Sequence, residues 1–364
     1  MTLSPTYDIG LSYEANYDEG PFFEGEIPPA PTGKAGYRFL DFEVYSPLGV
    51  PAGPLLNSRW IDLYARLGFD LPVYKTVRSV ARACHPAPNC IFLKDAGDLT
   101  VERFGETLVT TDAAPDTPAD VSITNSFGMP SKSPGNWQHD MEKARAAVGP
   151  GQVFIASAVG TPGEGDIASD YARTAAMCKE AGGQVVEINL SCPNVTSGEG
   201  SIFTDPEMAQ KITRETARSL GGTPLMVKVG YYTDPNVMAQ VVRAVAPHVQ
   251  AIAGINTLSF EVVDETGAQA LPGEGRLRSG ICGAAIRQCG LDQVRSLVAL
   301  KGLQKYDFAI VGVGGIMTPE DADAYLELGA DVVMSATGAM WDPMLAAKWR
   351  TAHGAGPAED ARTA

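Results

Sequence analysis

The sequence alternates short runs of β-branched and other apolar residues with longer amphipathic segments, and the alternation yields eight strands. Such alternation is typical of strand and helix units arranged on a parallel sheet. The predicted strands cover residues 49–53, 73–79, 153–158, 185–191, 225–229, 251–258, 309–312 and 332–335. The predicted helices cover residues 58–67, 167–181, 205–220, 236–246, 284–303, 319–328 and 340–349. Eight such units favour an α/β fold of the (β/α)8 TIM barrel type over an open doubly wound sheet.

Two connections between predicted strands, 80–151 and 259–308, are too long for simple crossovers. Long connections within a compact domain are usually functional or build an accessory structure. The first contains an alternating run that begins at Ser122 and ends in the turn Gly128-Met129-Pro130. We therefore predict a small inserted β subdomain over the C-terminal mouth of the barrel. The barrel domain is assigned to 41–354, an irregular N-terminal extension to 1–40 and a flexible tail to 355–364.

Charge and cysteine usage limit the classes of partner. The formal net charge is −15 and no stretch of Lys and Arg forms a basic stripe, which argues against nucleic acid or an anionic membrane as a partner. No apolar run approaches the roughly 20 residues that cross a bilayer, and the acidic, Tyr-containing N-terminus does not resemble a signal peptide. The six cysteines form no metal-ligand motif, so no metal site is predicted. We expect a cytoplasmic protein with reduced thiols.

Polar residues follow several predicted strands at their C-terminal ends, which in a TIM barrel all meet at one face. Singly, each has an ordinary structural explanation, because a lysine often extends to the surface and an asparagine before Thr or Ser often forms a turn. Their coincidence at several strand ends predicts a site at the barrel mouth. The set comprises Gly53, Lys75, Asn189, Cys192, Lys228, Asn256, Thr257, Gly314, Gly315 and Thr337.

Glycine-containing loops after the last two predicted strands indicate a phosphate-binding site. Gly314 and Gly315 precede a predicted helix, and Ala336 and Thr337 follow the eighth strand. Backbone N–H groups in such loops bind phosphate in many TIM barrels. A Rossmann fingerprint fits poorly because the third glycine is missing at the required spacing. FMN suits the arrangement, and Lys228 at the end of the fifth strand is placed to stabilise negative charge on a reduced flavin.

Several motifs together resemble the dihydroorotate dehydrogenase family over residues 45–349. The most specific is a cysteine between two asparagines, and the others include the strand-end lysines and the glycine loop. The motifs are Asn189-Leu190-Ser191-Cys192-Pro193-Asn194-Val195, Asn125-Ser126-Phe127-Gly128-Met129-Pro130, Tyr74-Lys75-Thr76, Val227-Lys228, Ile255-Asn256-Thr257 and Gly312-Val313-Gly314-Gly315-Ile316. A cysteine at the position of the base resembles the soluble class 1 branch of the family.

The resemblance implies that Cys192 and Lys75 are catalytic: Cys192 removes a proton from C5 of dihydroorotate while hydride leaves C6 for flavin N5, and Lys75 lies between flavin and the substrate carboxylate. Four amides suit a ring edge that alternates donors and acceptors, and one cation suits one carboxylate. The implied substrate-binding set is Lys75, Asn125, Phe127, Gly128, Met129, Asn189, Asn194, Asn256 and Thr257. The cofactor-binding set is Ala52, Gly53, Lys75, Thr76, Asn125, Asn189, Lys228, Ile255, Gly280, Gly283, Gly314, Gly315, Ala336 and Thr337.

Three functions are compatible with these residues. The first is FMN-dependent oxidation of (S)-dihydroorotate to orotate in pyrimidine biosynthesis. The second is the same chemistry on another dihydropyrimidine or a cyclic imide, and the third is a catalytically silent flavin-binding scaffold. The resemblance to class 1 enzymes implies a homodimer that passes electrons to fumarate or another soluble acceptor. Because a thiol with its ordinary pKa of about 8.5 is mostly protonated at neutral pH, we expect activity to rise with pH.

Overall fold

A computed structural model describes residues 5–31, 34–191 and 199–354 of the chain. Eight parallel strands close into a barrel in chain order, and all eight strands predicted from the sequence are present. The sixth is shorter than predicted, because Leu258 begins a strand of a second sheet. The barrel strands are β3 (Leu48–Val50), β4 (Leu71–Val77), β8 (Ile155–Ala158), β9 (Val185–Asn189), β10 (Leu225–Lys228), β11 (Ala251–Gly254), β14 (Ala309–Val313) and β15 (Val332–Met334). The predicted (β/α)8 barrel is confirmed.

Apolar side chains fill the barrel interior. Val73, Ile155, Val185, Met226 and Val311 belong to one buried cluster at the barrel axis. Strands of a parallel barrel are covered on both faces, so their sequences read as nearly continuous apolar runs. This burial explains why the eight strands could be predicted from the sequence.

Helices cover the outside of the barrel. Proline at the first helical position begins several of them, where its missing N–H has no helical partner to lose. Two of the helices were not predicted from the sequence: the first lies in the extension 1–40 that was expected to be irregular, and the third lies inside the long connection 80–151. The helices are α1 (Tyr13–Glu19), α2 (Ser58–Arg66), α3 (Pro134–Ala147), α4 (Ile167–Glu180), α5 (Pro206–Leu220), α6 (Pro235–Val245), α7 (Arg287–Gln304), α8 (Pro319–Glu327), α9 (Thr337–Trp341) and α10 (Leu345–Ala352).

The two long connections form a second, smaller closed sheet. Pairing of Asn125 with Gly280 joins the first connection to the second, and the ends of these strands reach the mouth of the large barrel. The inserted β subdomain predicted from the sequence is therefore present. Its strands are β5 (Cys90–Leu93), β6 (Thr107–Thr111), β7 (Ser122–Asn125), β12 (Leu258–Val263) and β13 (Arg278–Gly283).

The N-terminal region packs against the barrel at two places. A hairpin of β1 (Tyr37–Phe39) and β2 (Phe42–Val44) adds two buried side chains to the cluster at the barrel axis. Residues 5–31 include α1, whose Tyr17 carbonyl accepts a hydrogen bond at 2.7 Å from Nδ2 of Asn57, the residue before α2. The domain boundaries stay a prediction, and the predicted tail 355–364 lies outside the described residues. None of the helices in the described ranges combines the length and apolar character needed to span a membrane.

Candidate active site

A cavity opens between the C-terminal ends of the barrel strands and the small β subdomain. Its position is the one at which TIM barrels carry their active sites. Most of the residues predicted for the site line it, namely Ala52, Gly53, Lys75, Thr76, Asn125, Phe127, Gly128, Met129, Asn189, Lys228, Ile255, Asn256, Thr257, Gly283, Gly314, Gly315, Ala336 and Thr337. The structure thus brings residues from most of the barrel strands and both long connections to one place.

Three predicted residues stand apart from this set. Gly280 pairs with Asn125 in the small sheet and does not line the cavity. A Cβ atom at Gly280 would lie 2.4 Å from Thr257 Oγ1, so the absence of a side chain at Gly280 leaves room for Thr257. Cys192 and Asn194 lie outside the described residues, and their roles stay predictions.

Lys75 and Thr76 are consecutive residues of β4, yet both line the cavity. Side chains of a regular strand alternate between its faces. The pairing of β4 with β8 is irregular between Tyr74 and Val77, and a bulge of this kind redirects side chains. Tyr74 faces outward and donates a hydrogen bond to Asp140 Oδ2 at 2.7 Å. The bulge therefore gives the cavity a cation and a hydroxyl from one strand end.

Three amide side chains converge on the cavity from three different elements. Asn189 at the end of β9 accepts a hydrogen bond from the Ser191 N–H at 2.9 Å, and its Nδ2 lies 3.5 Å from the Met129 sulfur. Asn256 donates to the Ser191 carbonyl. Asn125 at the end of β7 donates to Cys282 Sγ at 3.2 Å. Each amide is oriented by contacts within the protein, so the set offers fixed donors and acceptors to an uncharged polar ring.

The turn formed by Phe127, Gly128 and Met129 closes one side of the cavity. Met129 has a positive φ of 50°, and its carbonyl accepts a hydrogen bond from Arg78 Nε at 3.2 Å. Arg78 is fully buried and also donates to the Gly160 carbonyl, so it ties the turn to the barrel. The turn is therefore held in one conformation at the rim.

Glycine loops and a helix start form the opposite side of the cavity. Gly314 and Gly315 both have positive φ, at 127° and 66°. A Cβ atom at Gly315 would lie 2.5 Å from backbone atoms of Arg287, so only glycine fits there. Thr337 is the first residue of α9, and N–H groups in the first turn of a helix have no helical partner. The Ala339 N–H donates to Ser335 Oγ at 3.0 Å, which leaves the N–H groups of Thr337 and Gly338 for an anionic ligand.

Two charged side chains lie close together inside the barrel below the cavity. Lys228 lines the cavity, and Glu187 lies on the neighbouring strand β9. Burial lowers the pKa of Lys228, and the nearby Glu187 opposes this shift. Burial likewise raises the pKa of Glu187, while Lys228 and a hydrogen bond from Ser157 oppose it. Glu187 was not predicted from the sequence, although its position midway between Val185 and Asn189 on the inward face of the strand is the signal that marks it.

Part of the cavity wall was also not predicted from the sequence. Tyr7 and Tyr13 of the N-terminal region line the cavity and pack edge-on against Phe127, with ring centroids at 6.0 and 6.2 Å. The signal in the sequence is a cluster of tyrosines in an otherwise polar segment. Cys90 and Cys282 also line the cavity, and burial raises the pKa of both thiols, so neither is suited to act as a base.

Comparison with known protein families shows which family the chain belongs to. The family model described as Dihydroorotate dehydrogenase matches residues 112–349. The chain belongs to this family. It is 41% identical to a dihydroorotate dehydrogenase of Dictyostelium discoideum over 356 residues, which cover 95% of this chain and 96% of that protein.

Two bacterial relatives match a shorter part of the chain. Dihydroorotate dehydrogenase A (fumarate) of Limosilactobacillus reuteri is 31% identical over 186 residues, which cover 50% of this chain and 54% of that protein. The catalytic subunit of dihydroorotate dehydrogenase B (NAD(+)) of Alkaliphilus oremlandii is 31% identical over 182 residues, which cover 49% of this chain and 56% of that protein. The similarity to these relatives is thus limited to about half of each protein.

Dihydroorotate dehydrogenases are flavin-dependent oxidoreductases that act on CH–CH groups. The cavity of this member fits such a cofactor, since the position of a Cβ atom at Gly53 has no protein atom within 4 Å and Gly314, Gly315 and Thr337 line the same cavity. Lys75 and Lys228 both line the same cavity and bring two amino groups to it. Within the described residues, no cluster of His, Cys, Asp or Glu side chains is arranged to bind a metal ion.

We expect Gly315→Ala to lower the flavin content of the purified protein. The added Cβ atom would meet the Arg287 backbone in a positive-φ conformation, at a cost of about 1–3 kcal/mol or displacement of the loop. The ratio of flavin absorbance to protein absorbance measures this loss. Gly163→Ala is the control, since Gly163 has a positive φ of 91° but open space around the added atom. Equal flavin content in the two variants would contradict a cofactor contact at Gly315.

Proposed function

We propose that the protein oxidises (S)-dihydroorotate to orotate with FMN as its cofactor. The observation that carries the proposal is the cavity itself, in which Asn125, Asn189 and Asn256 surround a space with Lys75 at its edge. These side chains match a flat ring with alternating donors and acceptors and a single carboxylate. The 41% identity to the Dictyostelium dihydroorotate dehydrogenase over nearly the whole chain supports the same substrate.

The protein side chains bind and orient the two ligands in this proposal. Lys75 pairs with the substrate carboxylate, and the turn at Phe127, Gly128 and Met129 covers that end of the ring. Asn194 joins the three described amides on the ring edge, together with the hydroxyl of Thr257. The phosphate of FMN is held by backbone N–H groups of the segments Gly314-Gly315 and Ala336-Thr337. When bound, FMN accepts the hydride that leaves C6 of the substrate.

Proton removal is assigned to Cys192. A thiolate is the basic form of cysteine, so the side chain must lose its own proton before it takes the proton from C5. In the sequence, Cys192 is three residues beyond Asn189, the last residue of β9, and this proximity in the chain supports the assignment. The two described cysteines of the cavity wall are buried thiols with raised pKa, which leaves Cys192 as the candidate base.

We further propose that the enzyme acts in the cytoplasm as a homodimer and passes electrons to fumarate or another soluble acceptor. Support for the acceptor comes from the similarity to the fumarate-type enzyme of Limosilactobacillus reuteri. The name of the Alkaliphilus relative indicates NAD(+) instead, so both acceptors belong in the test.

Anaerobic reduction of the bound flavin tests the substrate. We expect dihydroorotate to bleach the flavin absorbance rapidly and dihydrouracil to bleach it slowly, because dihydrouracil lacks the carboxylate that pairs with Lys75. Fumarate or NAD(+) is then added to the reduced protein, and return of the absorbance identifies the acceptor. Faster bleaching by dihydrouracil would favour the second function, and a flavin that neither compound reduces would favour a silent scaffold.

A further inference from the structure

Glu187 is a fully buried carboxyl group inside the barrel. Side chains of β9 alternate between its faces, so Val185, Glu187 and Asn189 share the inward face. Val185 belongs to the apolar cluster at the barrel axis, and Asn189 lines the cavity. Glu187 therefore lies between the apolar interior and the ligand cavity, directly below the mouth. Nothing in the proposed reaction uses it.

The hydrogen bonds of Glu187 satisfy only one of its oxygens. Oε1 accepts from Ser157 Oγ at 2.8 Å, and Ser157 Oγ lies 3.0 Å from Thr76 Oγ1 in the cavity wall. Oε2 has no hydrogen-bond partner among the described residues. A buried carboxylate with an unsatisfied oxygen is costly unless a positive charge compensates it. The position of Glu187 thus calls for a nearby cation.

Lys228 is that cation. Met226 of β10 pairs with Glu187, and Lys228 pairs with Asn189, so Lys228 is the diagonal neighbour of Glu187 on the inward face. The other strand beside β10 presents Ala253 opposite Lys228, which carries no charge. Lys75 faces the same cavity from β4 and adds positive charge. Glu187 is therefore the anionic group that the neighbouring strands present to Lys228.

We propose that Glu187 is a positioning residue that keeps Lys228 protonated and directed at the flavin site. This inference rests on the proposed function, in which Lys228 stabilises the negative charge of the reduced cofactor. Ser157 and Thr76 hold the carboxylate in place from β8 and β4. A protonated Lys228 raises the reduction potential of the bound flavin, because it stabilises the anionic reduced form. Glu187 acts on this potential mainly through Lys228, because Lys228 lines the cavity and Glu187 does not.

The test is Glu187→Gln, which removes the charge and keeps an oxygen that can accept from Ser157. Without the neighbouring anion, the pKa of Lys228 falls further, because the charge of Glu187 no longer opposes the effect of burial. A plot of flavin midpoint potential against pH then has its lysine-dependent break at a correspondingly lower pH than in the parent protein. Below the new break the potential of the variant lies at or above that of the parent, since a negative charge is gone. Between the new break and that of the parent, the potential of the variant is the lower one, because its Lys228 is already neutral while that of the parent is still charged. Anaerobic spectroelectrochemical titration measures this crossing.

Lys228→Met and the double variant provide the control. In the Lys228→Met background, Glu187→Gln is expected to change the potential little, because the residue through which it acts is absent. Ser157→Ala keeps the carboxylate but removes its hydrogen bond, and it is expected to move the break in the same direction by less. If Glu187→Gln does not fold, Ser157→Ala gives the same test.

The outcomes separate this inference from the function on which it rests. If Lys228→Met shifts the potential while Glu187→Gln leaves the break unmoved, the role of Glu187 is wrong and the role of Lys228 stands. An unchanged potential in Lys228→Met overturns the role of Lys228 and the inference together. Lower thermal stability in Glu187→Gln with a parental potential at every pH shows a structural role only, which also overturns the inference.

Discussion

Replacing Cys192 by Ala is expected to slow anaerobic flavin reduction by dihydroorotate by about 10²–10⁴-fold, the usual contribution of a positioned general base. Flavin content is expected to stay at the parental level, since the proposed phosphate site lies at Gly314, Gly315 and Thr337. Stopped-flow measurement of flavin absorbance gives the rate. In the parent protein this rate should rise with pH as the thiol ionises, and the Ala variant should lose that dependence.

The matched control is Cys178→Ala, because Cys178 is buried in α4 and does not line the cavity. It removes a thiol from the protein and leaves the cavity intact, so flavin reduction should proceed at the parental rate. The assignment of the base is wrong if the Cys192→Ala variant also reduces its flavin at that rate. Loss of flavin from the Cys192→Ala variant would show a binding role instead.

The barrel could be predicted from the sequence because its strands are covered on both faces. Val73 of β4 and Val185 of β9 fill the axis, while residues of opposite parity pack against the helices. Each strand therefore reads as an apolar run bounded by polar loops. Strand ends were less predictable, and the sixth strand stops at Gly254 because the chain passes there into the small sheet.

The polar part of the site was partly predictable. Asn189 and Lys228 end apolar strands, and strand ends in a parallel barrel share one face, so their convergence follows from the fold. The exposure of both Lys75 and Thr76 to the cavity does not follow from the fold. It depends on a bulge in β4, and a bulge has no clear mark in the sequence. Tyr7 could not be placed either, since it reaches the cavity through contacts with Phe127 and Trp60, which are distant in the chain.

The largest effect on stability is expected from Arg350→Met. Arg350 of α10 forms an ion pair with Asp70, the residue before β4, with 2.5 Å between Nη2 and Oδ2. Asp70 is fully buried and also accepts hydrogen bonds from Ser46 at 2.7 Å and Gln152 at 3.0 Å. Removal of the guanidinium leaves a buried carboxylate without its counter-charge, which typically costs about 3–5 kcal/mol. Chemical denaturation followed by circular dichroism measures the fall in the free energy of unfolding.

An exposed ion pair provides the comparison. Arg38 and Asp41 lie 3.0 Å apart, but their side chains are 70% and 91% exposed, so Arg38→Met should lower the free energy of unfolding by less than about 1 kcal/mol. Adding Asp70→Asn to Arg350→Met should recover part of the loss, because the buried charge is then gone. Equal effects of Arg350→Met and Arg38→Met would show that the contact of α10 with the start of β4 contributes no more than a surface pair. A large loss that Asp70→Asn does not relieve would instead point to lost packing of the arginine side chain against Gly68.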